Sequence, residues 1–336
     1  MINKHIIIYY KKHYDKNCSC SYCVNKKGII GSLQKLGYTV EVEKFNCNWS
    51  HFFPADRHFD YALAYQNKIF GEFMFEADKM PSGVVEFAQT YFDFVICGSK
   101  FLYDVWENSG MDKRFLIPAS LGIDTKVFNS TKPTSIIYPD KFKFLSVGAW
   151  QHSHWHDRKG FTNLISTFKR LFSKNKDVML IIKTNENAPK DIGVDNIKFI
   201  REKLSETDMA NLYKSCALNG AYVSLHTGEG FGRTDLEALS CGCKIGATGW
   251  SGVLDFLTKK NSTLFPYTLT KSKLYSQDYY VDNKQPNIAE VDIEAVEEWM
   301  LNIIKLKKIN PNYLRTNRYD WDEVVKNLMK EIIKRI

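Results

Sequence analysis

Two carboxylates stand eight positions apart in a glycine-rich stretch, residues 226–243, which reads HTGEGFGRTDLEALSCGC. Glu229 falls in a predicted turn, and Glu237 falls in the first turns of a helix predicted to begin near Arg233. The turn holds three glycines, Gly228, Gly230 and Gly232, which let the backbone bend and approach a ligand closely. The free N–H groups and positive dipole end of the helix favour an anion such as phosphate. Glu237 would offer nearby sugar hydroxyl groups a hydrogen-bond acceptor.

The elements around this stretch alternate between strand and helix patterns. The apolar run AYVSL (221–225) predicts the strand that leads into the turn. Alternation of this kind predicts parallel sheets with right-handed crossovers. Further strands are predicted at 5–10, 39–45, 60–66, 69–76, 94–99, 114–119, 142–150, 178–184, 197–200 and 244–248. Helices are predicted near 24–36, after 99, at 161–173, after Ser205, from 251, at 292–308 and at 321–336, whereas 266–290 is predicted as loop.

Length and a turn-rich segment divide the chain. Its 336 residues exceed the usual size of one domain, so two domains are expected. Residues 129–141, NSTKPTSIIYPDK, contain two prolines and no clear periodicity, which is typical of a linker. We predict an N-terminal domain over 1–138, a C-terminal domain over 139–315 and a final helical segment over 316–336. Both domains are predicted to be Rossmann-like, doubly wound α/β sheets that bind ligands at the carboxyl ends of their strands, across an interdomain cleft.

The composition and charge of the chain limit the kinds of partner that it is expected to bind. Hydrophobic residues make up 44% and charged residues 25%, as in ordinary globular proteins, and no apolar run reaches the ~18 residues that span a bilayer. The formal charge of +8 favours anionic partners, but it is spread along the chain, which favours a basic surface over a nucleic-acid-binding face. We therefore predict a cytoplasmic protein without a nucleic-acid partner. Peripheral membrane contact through Lys4, Lys11, Lys12, Lys26 and Lys27 is the alternative to a solvated surface.

Two clusters of metal-ligand residue types fit no standard site. Eight cysteines without a secretion signal indicate reduced thiols. Cys18, Cys20 and Cys23 would need Cys47 or His13 to complete a zinc site, and they lack paired C-x-x-C spacing. The loop QHSHWHD carries His152, His154 and His156, whose spacing also matches no standard metal site. We predict a Cys-rich loop and a His-rich loop, the latter with phosphate or acceptor contacts as its alternative.

The motif EGFG (229–232) with Glu237 resembles the E-x-x-x-x-x-x-x-E signature of retaining GT-B glycosyltransferases, in particular glycosyltransferase family four (glycosyl transferases group 1). Three other stretches resemble segments of that family: 75–111, FEADKMPSGVVEFAQTYFDFVICGSKFLYDVWENSGM; 116–128, LIPASLGIDTKVF; and 146–161, SVGAWQHSHWHDRKGF. The final WDEVVKNLMKEI is similar to the family's closing helix, which crosses back onto the first domain. The resemblance covers nearly all of the chain beyond residue 60.

The resemblance implies roles for residues of the second domain. Glu237 would bind the ribose hydroxyl groups of a nucleotide sugar, and Glu229 would bind a hydroxyl group of the donor sugar. The amides of Gly230, Phe231 and Gly232 would lie nearby. Arg158 and Lys159 would neutralise the diphosphate, whose negative charge grows as the glycosidic bond breaks. Because this cationic pair and a helix N-terminus can do the work of a metal, no catalytic metal or other cofactor is expected.

The chain departs from the family pattern at three places. Gly148 is followed by Ala149 where many relatives have an arginine, so Arg158 beside Lys159 would supply that charge. Gly28 and Gly31 stand one helical turn apart, at a predicted helix start, in place of an adjacent pair on the acceptor side. Glu76, in FEADKMP, is the positional match for the family's first-domain catalytic residue, and it would steady positive charge at the reacting carbon. The alternative for Glu76 is a surface position at a strand end.

The implied function is a retaining, metal-independent hexosyltransferase of glycan biosynthesis. It would move mannose from GDP-mannose, or else glucose from UDP-glucose, to a hydroxyl group of a glycan, glycoprotein or glycolipid, acting as a monomer or homodimer. Two alternatives stay open: a sugar-nucleotide epimerase of the same fold, and a non-catalytic protein that binds nucleotide sugars. An epimerase would convert the donor without an acceptor, and a binding protein would release no diphosphate.

Overall fold

The structure is a computed structural model that describes residues 4–10, 21–47, 58–150, 157–185, 187–189, 192–272, 285–306 and 317–336. The backbone divides into two compact units. Unit 1 comprises Met1–Asp124, Tyr275–Asn287 and Thr316–Ile336, and unit 2 comprises Thr125–Leu274 and Ile288–Arg315. The predicted domain boundaries after residues 138 and 315 remain a proposal.

The helices of the described residues follow the chain in a simple order. They are α1 (Ser21–Lys35), α2 (Ser82–Tyr91), α3 (Lys100–Asn108), α4 (Phe161–Phe172), α5 (Glu206–Leu218), α6 (Arg233–Ser240), α7 (Ile293–Ile303) and α8 (Trp321–Ile333). The helix predicted after Ser205 is confirmed as α5, and the Ser205 hydroxyl caps it by accepting from the Asp208 N–H at 3.1 Å. Residues 251–255 form a short 3-10 segment instead of the predicted helix.

Unit 1 contains a six-stranded sheet in the order β2-β1-β3-β4-β5-β6. The strands are β1 (His5–Tyr10), β2 (Thr39–Lys44), β3 (Phe59–Tyr65), β4 (Lys68–Phe73), β5 (Phe94–Cys97) and β6 (Leu116–Pro118). The predicted α/β class is confirmed with one departure, since β3 runs antiparallel to both β1 and β4. Only Gln66 and Asn67 connect β3 to β4, which is too short for a parallel crossover. Their φ angles of 49° and 60° are typical of a tight hairpin turn.

Unit 2 contains a six-stranded, fully parallel sheet in the order β12-β11-β10-β7-β8-β9. Its strands are β7 (Phe142–Val147), β8 (Val178–Lys183), β9 (Ile197–Ile200), β10 (Gly220–Ser224), β11 (Ile245–Thr248) and β12 (Thr263–Phe265). Counted from β9, the order is the 3-2-1-4-5-6 arrangement of doubly wound nucleotide-binding sheets. The strand order reverses between β7 and β10, and ligands bind beyond the carboxyl ends of strands at such a point.

Apolar faces of strands and helices hold unit 2 together. Phe144 and Leu180 point from the sheet into a buried cluster that also takes Leu164 and Phe168 from α4 and Met300 from α7. The loop predicted over 266–290 is wrong in part, because β13 (Tyr267–Lys271) and β14 (Asn287–Val291) form a two-stranded sheet. β13 has only five residues, YTLTK, and four of them are exposed, so the strand contributes no apolar face to a core.

The closing helix α8 packs on α1 within unit 1. Gly28 lies in the middle of α1, where an added Cβ would lie 2.3 Å from the indole ring of Trp321. Asp322 accepts hydrogen bonds from Ser32 at 2.6 Å and from Lys35 at 2.9 Å. The prediction that Gly28 and Gly31 mark a helix start is therefore wrong. Gly28 is needed because the helices approach too closely for a side chain.

Candidate functional site

The turn between β10 and α6 is the centre of the candidate site. It covers residues 225–232 and follows the strand at the point where the sheet order reverses. Gly232 precedes α6 with a φ of 89°, and a Cβ there would lie 2.4 Å from the Val253 side chain. Only glycine meets both conditions without strain. The turn therefore delivers the N-terminus of α6 to the ligand-binding edge of the sheet.

The loop that follows β7 holds one side of this turn. The Thr227 N–H donates to the Arg158 carbonyl at 2.8 Å, and Arg158 Nη1 donates to the Gly228 carbonyl at 2.9 Å. Gly160, with a φ of 69°, lets the loop pass so close that a Cβ would lie 2.1 Å from the Leu225 carbonyl oxygen. Loops from two strands flanking the reversal point are thus joined by their backbones.

The 3-10 segment after β11 holds the other side. The Glu229 N–H donates to Ser251 Oγ at 2.9 Å, and the Gly252 N–H donates to the Glu229 carbonyl at 2.9 Å. A Cβ on Gly252 would lie 2.3 Å from the Gly230 carbonyl oxygen. Since the Glu229 backbone is fixed by both of its hydrogen-bonding groups, its side chain leaves the turn in a defined direction.

Glu229 carries the charge chemistry of the site. Its Oε1 lies 2.5 Å from Lys159 Nζ and 3.0 Å from Arg158 Nη1. The carboxylate is buried, and the two cationic side chains are only 14% and 16% exposed. Burial by itself raises the pKa of Glu229, but the charges of Arg158 and Lys159 outweigh it and lower that pKa to about 2. Glu229 is therefore ionised at any physiological pH.

Arg158, Lys159 and Glu229 together carry a formal charge of +1, which adds to the positive end of the α6 helix dipole. An anion that enters this site gains charge-assisted hydrogen bonds from a guanidinium and an ammonium group. Bound diphosphate would compete with Glu229 for both cations, which would free the carboxylate to accept from a hydroxyl group. The arrangement is suited to a diphosphate joined to a polyol.

Glu237 points its carboxylate between α5 and α6. Tyr213 Oη donates to its Oε2 at 3.1 Å, and Arg233 Nε lies 3.3 Å from its Oε1. Burial raises the pKa of Glu237, whereas the Arg233 charge and the Tyr213 hydrogen bond oppose that rise. The carboxylate is 6% exposed, so it has lost most of its water and retains hydrogen-bonding capacity for a ligand.

Two further buried groups stand close to Glu229. Burial lowers the pKa of His226 to about 4, and neither ring nitrogen has a hydrogen-bond partner among the described residues. His226 is therefore a neutral imidazole. Burial and the negative charge of Glu229 raise the pKa of Asp235 to about 7. The site thus combines an ionised carboxylate, a neutral histidine and a carboxyl group that is half-protonated near neutrality.

The structure brings together the predicted donor-site residues Arg158, Lys159, Glu229 and Gly232 in unit 2, with Glu237 five residues into α6. Gly230 and Phe231 lie in the same turn of unit 2, whereas Glu76, Gly28 and Gly31 belong to unit 1. Glu76 is half-buried in the irregular segment after β4. The roles predicted for all of these residues remain proposals.

Sequence reasoning did not single out Tyr213, Arg233 or Ser251. Tyr213 lies on the apolar stripe of α5, where its pattern is indistinguishable from an ordinary core position. Arg233 stands four residues before Glu237 on one helix face, and that spacing predicts a pair. Ser251 has no such signal, because its contact with Glu229 spans 22 positions.

Neither a cluster of metal-ligand side chains nor a membrane-spanning helix is found among the described residues. Within them, no group of three or more His, Cys, Asp or Glu side chains is placed to hold a metal ion. In the same part of the chain, no helix has both the length and the apolarity to span a bilayer. His13, Cys18, Cys20, His152, His154 and His156 lie outside the described residues, and Cys23 is buried.

Neither a protein-family model nor a curated protein sequence matches the chain. Solved structures do match it. HepE from Anabaena in complex with UDP-glucose aligns with a TM-score of 0.55 and 15% identity, over 75% of this chain and 66% of that one. The HepE complex with UDP and glucose gives a TM-score of 0.53 over the same shares of the two chains. The chain thus spans slightly less than two thirds of the HepE length.

The lipopolysaccharide outer core galactosyltransferase WaaB, in its apo form, aligns with a TM-score of 0.50 and 14% identity. That alignment covers 93% of this chain and 73% of WaaB. Likeness at this level of identity establishes architecture. Together with the two α/β units, it shows that the chain has the GT-B fold.

Proposed function

We propose that this protein is a glycosyltransferase that moves a hexose from a nucleoside-diphosphate sugar to a hydroxyl group of a glycan or glycoconjugate. The observation that carries the proposal is the convergence of Arg158 and Lys159 on Glu229 at the N-terminal end of α6. A cationic pair beside a helix N-terminus binds diphosphate, and buried carboxylates bind hydroxyl groups. The GT-B fold, shared with the glycosyltransferase WaaB, supports the same reading.

In the proposed reaction, negative charge develops on the departing diphosphate, next to the cationic side chains of Arg158 and Lys159. As the bond between the sugar carbon and the diphosphate oxygen breaks, its electron pair goes to the diphosphate. Arg158 and Lys159 stabilise this charge more than they stabilise the bound donor, so they lower the barrier. The acceptor hydroxyl attacks the same sugar carbon, and its proton passes to the departing diphosphate. Attack on the face that the diphosphate leaves would retain the anomeric configuration, and Glu76 would steady the positive sugar centre.

The proposal predicts that substitutions of Lys159 and Glu237 change different kinetic constants, turnover for Lys159 and donor binding for Glu237. Lys159→Ala removes a cation used mainly in the transition state, so kcat should fall about 100-fold with a smaller change in KM. Glu237→Ala should weaken donor binding about tenfold or more, because it removes a charged acceptor for hydroxyl groups. Lys198→Ala and Glu290→Ala, at exposed positions of unit 2, are the matched controls. Full activity in both site variants would overturn the proposal.

The donor is proposed as GDP-mannose or UDP-glucose. The ligands named with HepE, UDP-glucose and UDP with glucose, support including the uridine nucleotide. Calorimetric titration of both nucleotide sugars, with UDP-galactose and free UDP and GDP beside them, separates the candidates by base and by sugar. Measurements repeated after dialysis against EDTA test the proposed independence from metal.

Two other activities of this fold make different products. A sugar-nucleotide epimerase would convert the donor alone into a new sugar nucleotide, which chromatography detects in the absence of acceptor. A non-catalytic protein would bind the donor and release no nucleoside diphosphate with any acceptor. The ionised Glu229 and its cationic partners would serve donor binding in either protein, so release of nucleoside diphosphate with an acceptor is the measurement that separates the transferase from the binding protein.

A further inference from the structure

A buried tyrosine joins the two helices that flank the proposed donor site. Tyr213 is fully buried on α5, and its phenol donates to Glu237 Oε2 at 3.1 Å. Its ring packs edge to face against Phe128 and Tyr222, with centroids 6.2 and 5.9 Å apart. Its carbonyl accepts from the Cys243 thiol at 3.1 Å. The phenol is therefore held in place by a hydrogen bond to its backbone and by two rings packed against it.

Glu237 needs such a partner because its surroundings disfavour charge. Burial is the largest influence on the carboxyl group, and Glu206 on α5 adds a like charge. Arg233 on α6 and the more distant Lys159 act in the opposite sense. A carboxylate that loses water and keeps few donors takes up a proton, and a protonated carboxyl group can no longer accept from two hydroxyl groups.

The remaining ionisable groups around this carboxylate stay neutral. Burial raises the pKa of Tyr222 well above its usual range and that of Cys241 to about 12, with the Glu237 charge adding to both effects. Neither group therefore changes charge between pH 5 and 9. Tyr213 is also neutral in that range, because burial raises its pKa well above the ordinary value. Its proton is always available for donation.

We propose that Tyr213 is a positioning residue of the donor site, which holds the Glu237 carboxylate ionised and oriented toward the ribose diol of a nucleoside diphosphate. The inference rests on the proposed function for the identity of the ligand, but the link between Tyr213 and Glu237 stands on the structure. Oε2 is fixed by the phenol and Oε1 faces Arg233, so the carboxylate plane cannot rotate freely. A fixed plane presents its two remaining lone-pair directions to two adjacent hydroxyl groups.

The test replaces one buried phenol at a time. Tyr213→Phe removes the hydrogen bond and keeps the ring packing. Tyr222→Phe is the matched control, because Tyr222 is equally buried, packs against Tyr213 and directs its hydroxyl to Thr234 instead. Calorimetry with UDP and GDP should give about tenfold weaker binding for Tyr213→Phe at pH 7.5 and no change for Tyr222→Phe. As the pH falls, the affinity of Tyr213→Phe should be lost at a higher pH than that of the unmodified protein.

A double-mutant cycle separates positioning from structure. If Tyr213 acts through Glu237, Tyr213→Phe should have no further effect on binding in the Glu237→Gln background. Equal weakening by the two Tyr→Phe variants, or additive losses in the cycle, would overturn the inference. Infrared difference spectra of the ligand-free protein against Glu237→Gln report the ionisation of Glu237 directly, and Tyr213→Phe should raise its titration midpoint. Absence of nucleotide binding by the unmodified protein would contradict the proposed function, whereas an unchanged midpoint would contradict the role of Tyr213.

Discussion

Unit 1 and unit 2 each bury acidic side chains toward one edge of a sheet, and the two clusters have opposite charge balance. In unit 2, two cations converge on Glu229. In unit 1, Asp60 at the start of β3 and Glu72 near the end of β4 are both buried with Lys26 of α1, whose Nζ lies 3.6 Å from Asp60 Oδ1. The first cluster carries a formal +1, and the second carries −1 if both acids ionise.

The acids of the unit 1 cluster are partly protonated, which lowers the net negative charge of the cluster. Burial raises the pKa of Asp60 to about 6 and that of Glu72 well above its usual range. The charge of Asp60 raises the pKa of Glu72 further, and the charge of Lys26 lowers both pKa values. Neither Glu72 oxygen has a hydrogen-bond donor among the described residues, and the two carboxyl groups lie close enough to share a proton. The cluster of unit 2, which has more cations than acids, can bind an anion. The buried cluster of unit 1, which has more acids than cations, binds protons instead.

Glycines differ between the units in the same sense. Gly232 in unit 2 has a positive φ and shapes the turn that bears Glu229. Gly28 in unit 1 has ordinary helical geometry and serves the contact with Trp321. A motif glycine thus shapes a ligand turn in one unit and a helix crossing in the other.

The largest expected effect is at Glu229. Glu229→Gln leaves two largely buried cations without their counter-charge, which should cost about 3 kcal/mol of unfolding free energy at pH 7. Urea unfolding measures this loss, with exposed Glu290→Gln as the control. Inorganic pyrophosphate should restore more stability to the variant than to the unmodified protein, because it replaces the missing negative charge. If Glu229→Gln were as stable as Glu290→Gln, the charges of Arg158 and Lys159 would be solvated and would not depend on Glu229.

Removing the cation of unit 1 should give a pH-dependent loss. Because the folded-state pKa of Asp60 is raised, its contribution to stability is present at low pH and is lost as the pH rises through about 6. Lys26→Met makes ionisation costlier, so it should destabilise the protein by about 2 kcal/mol at pH 8 and by less at pH 5. Lys100→Met, which breaks a surface pair with Asp104, should change little at either pH. A pH-independent loss would contradict proton sharing.

Neutralising an acid should have opposite signs in the two clusters. Glu72→Gln removes a group that must hold a proton, so it should raise unfolding free energy at pH 8 by about 1 kcal/mol and flatten its dependence on pH above the ordinary pKa of a glutamate. Glu229→Gln should show no such flattening, because the pKa of Glu229 near 2 places its titration far below this window. Destabilisation by Glu72→Gln would mean that its charge is used.

The smallest effect sharpens the glycine comparison. An added Cβ at Gly31 meets no atom within 4 Å, so Gly31→Ala should stabilise α1 by about 0.5 kcal/mol. Gly28→Ala, one turn earlier, should destabilise the contact with Trp321. Thermal unfolding of the two variants decides the matter. If Gly31→Ala reduced acceptor use without loss of stability, the predicted acceptor-side role of Gly31 would gain support.

Much of unit 2 was predictable from the sequence because its signals are local. The apolar run before Gly228, the glycines of the turn and the helical face with Glu237 lie within one continuous segment. In unit 1, the predicted strands were found, but the antiparallel direction of β3 was not predicted. That direction follows from a two-residue turn at Gln66 and Asn67, and neither is the glycine that usually indicates a positive φ angle. The strand β13 was not predicted because it is short and exposed and adds no face to a core.

By itself the sequence determined the alternating α/β pattern and the glycine turn with Glu229 and Glu237, because periodicity and backbone freedom are properties of neighbouring residues. Only the tertiary structure decided which charges meet. The Lys159–Glu229 contact spans 70 positions and the Tyr213–Glu237 contact spans 24, and both are set by strand order and helix packing. Burial then fixed the charge states, since desolvation depends on every element that covers a group.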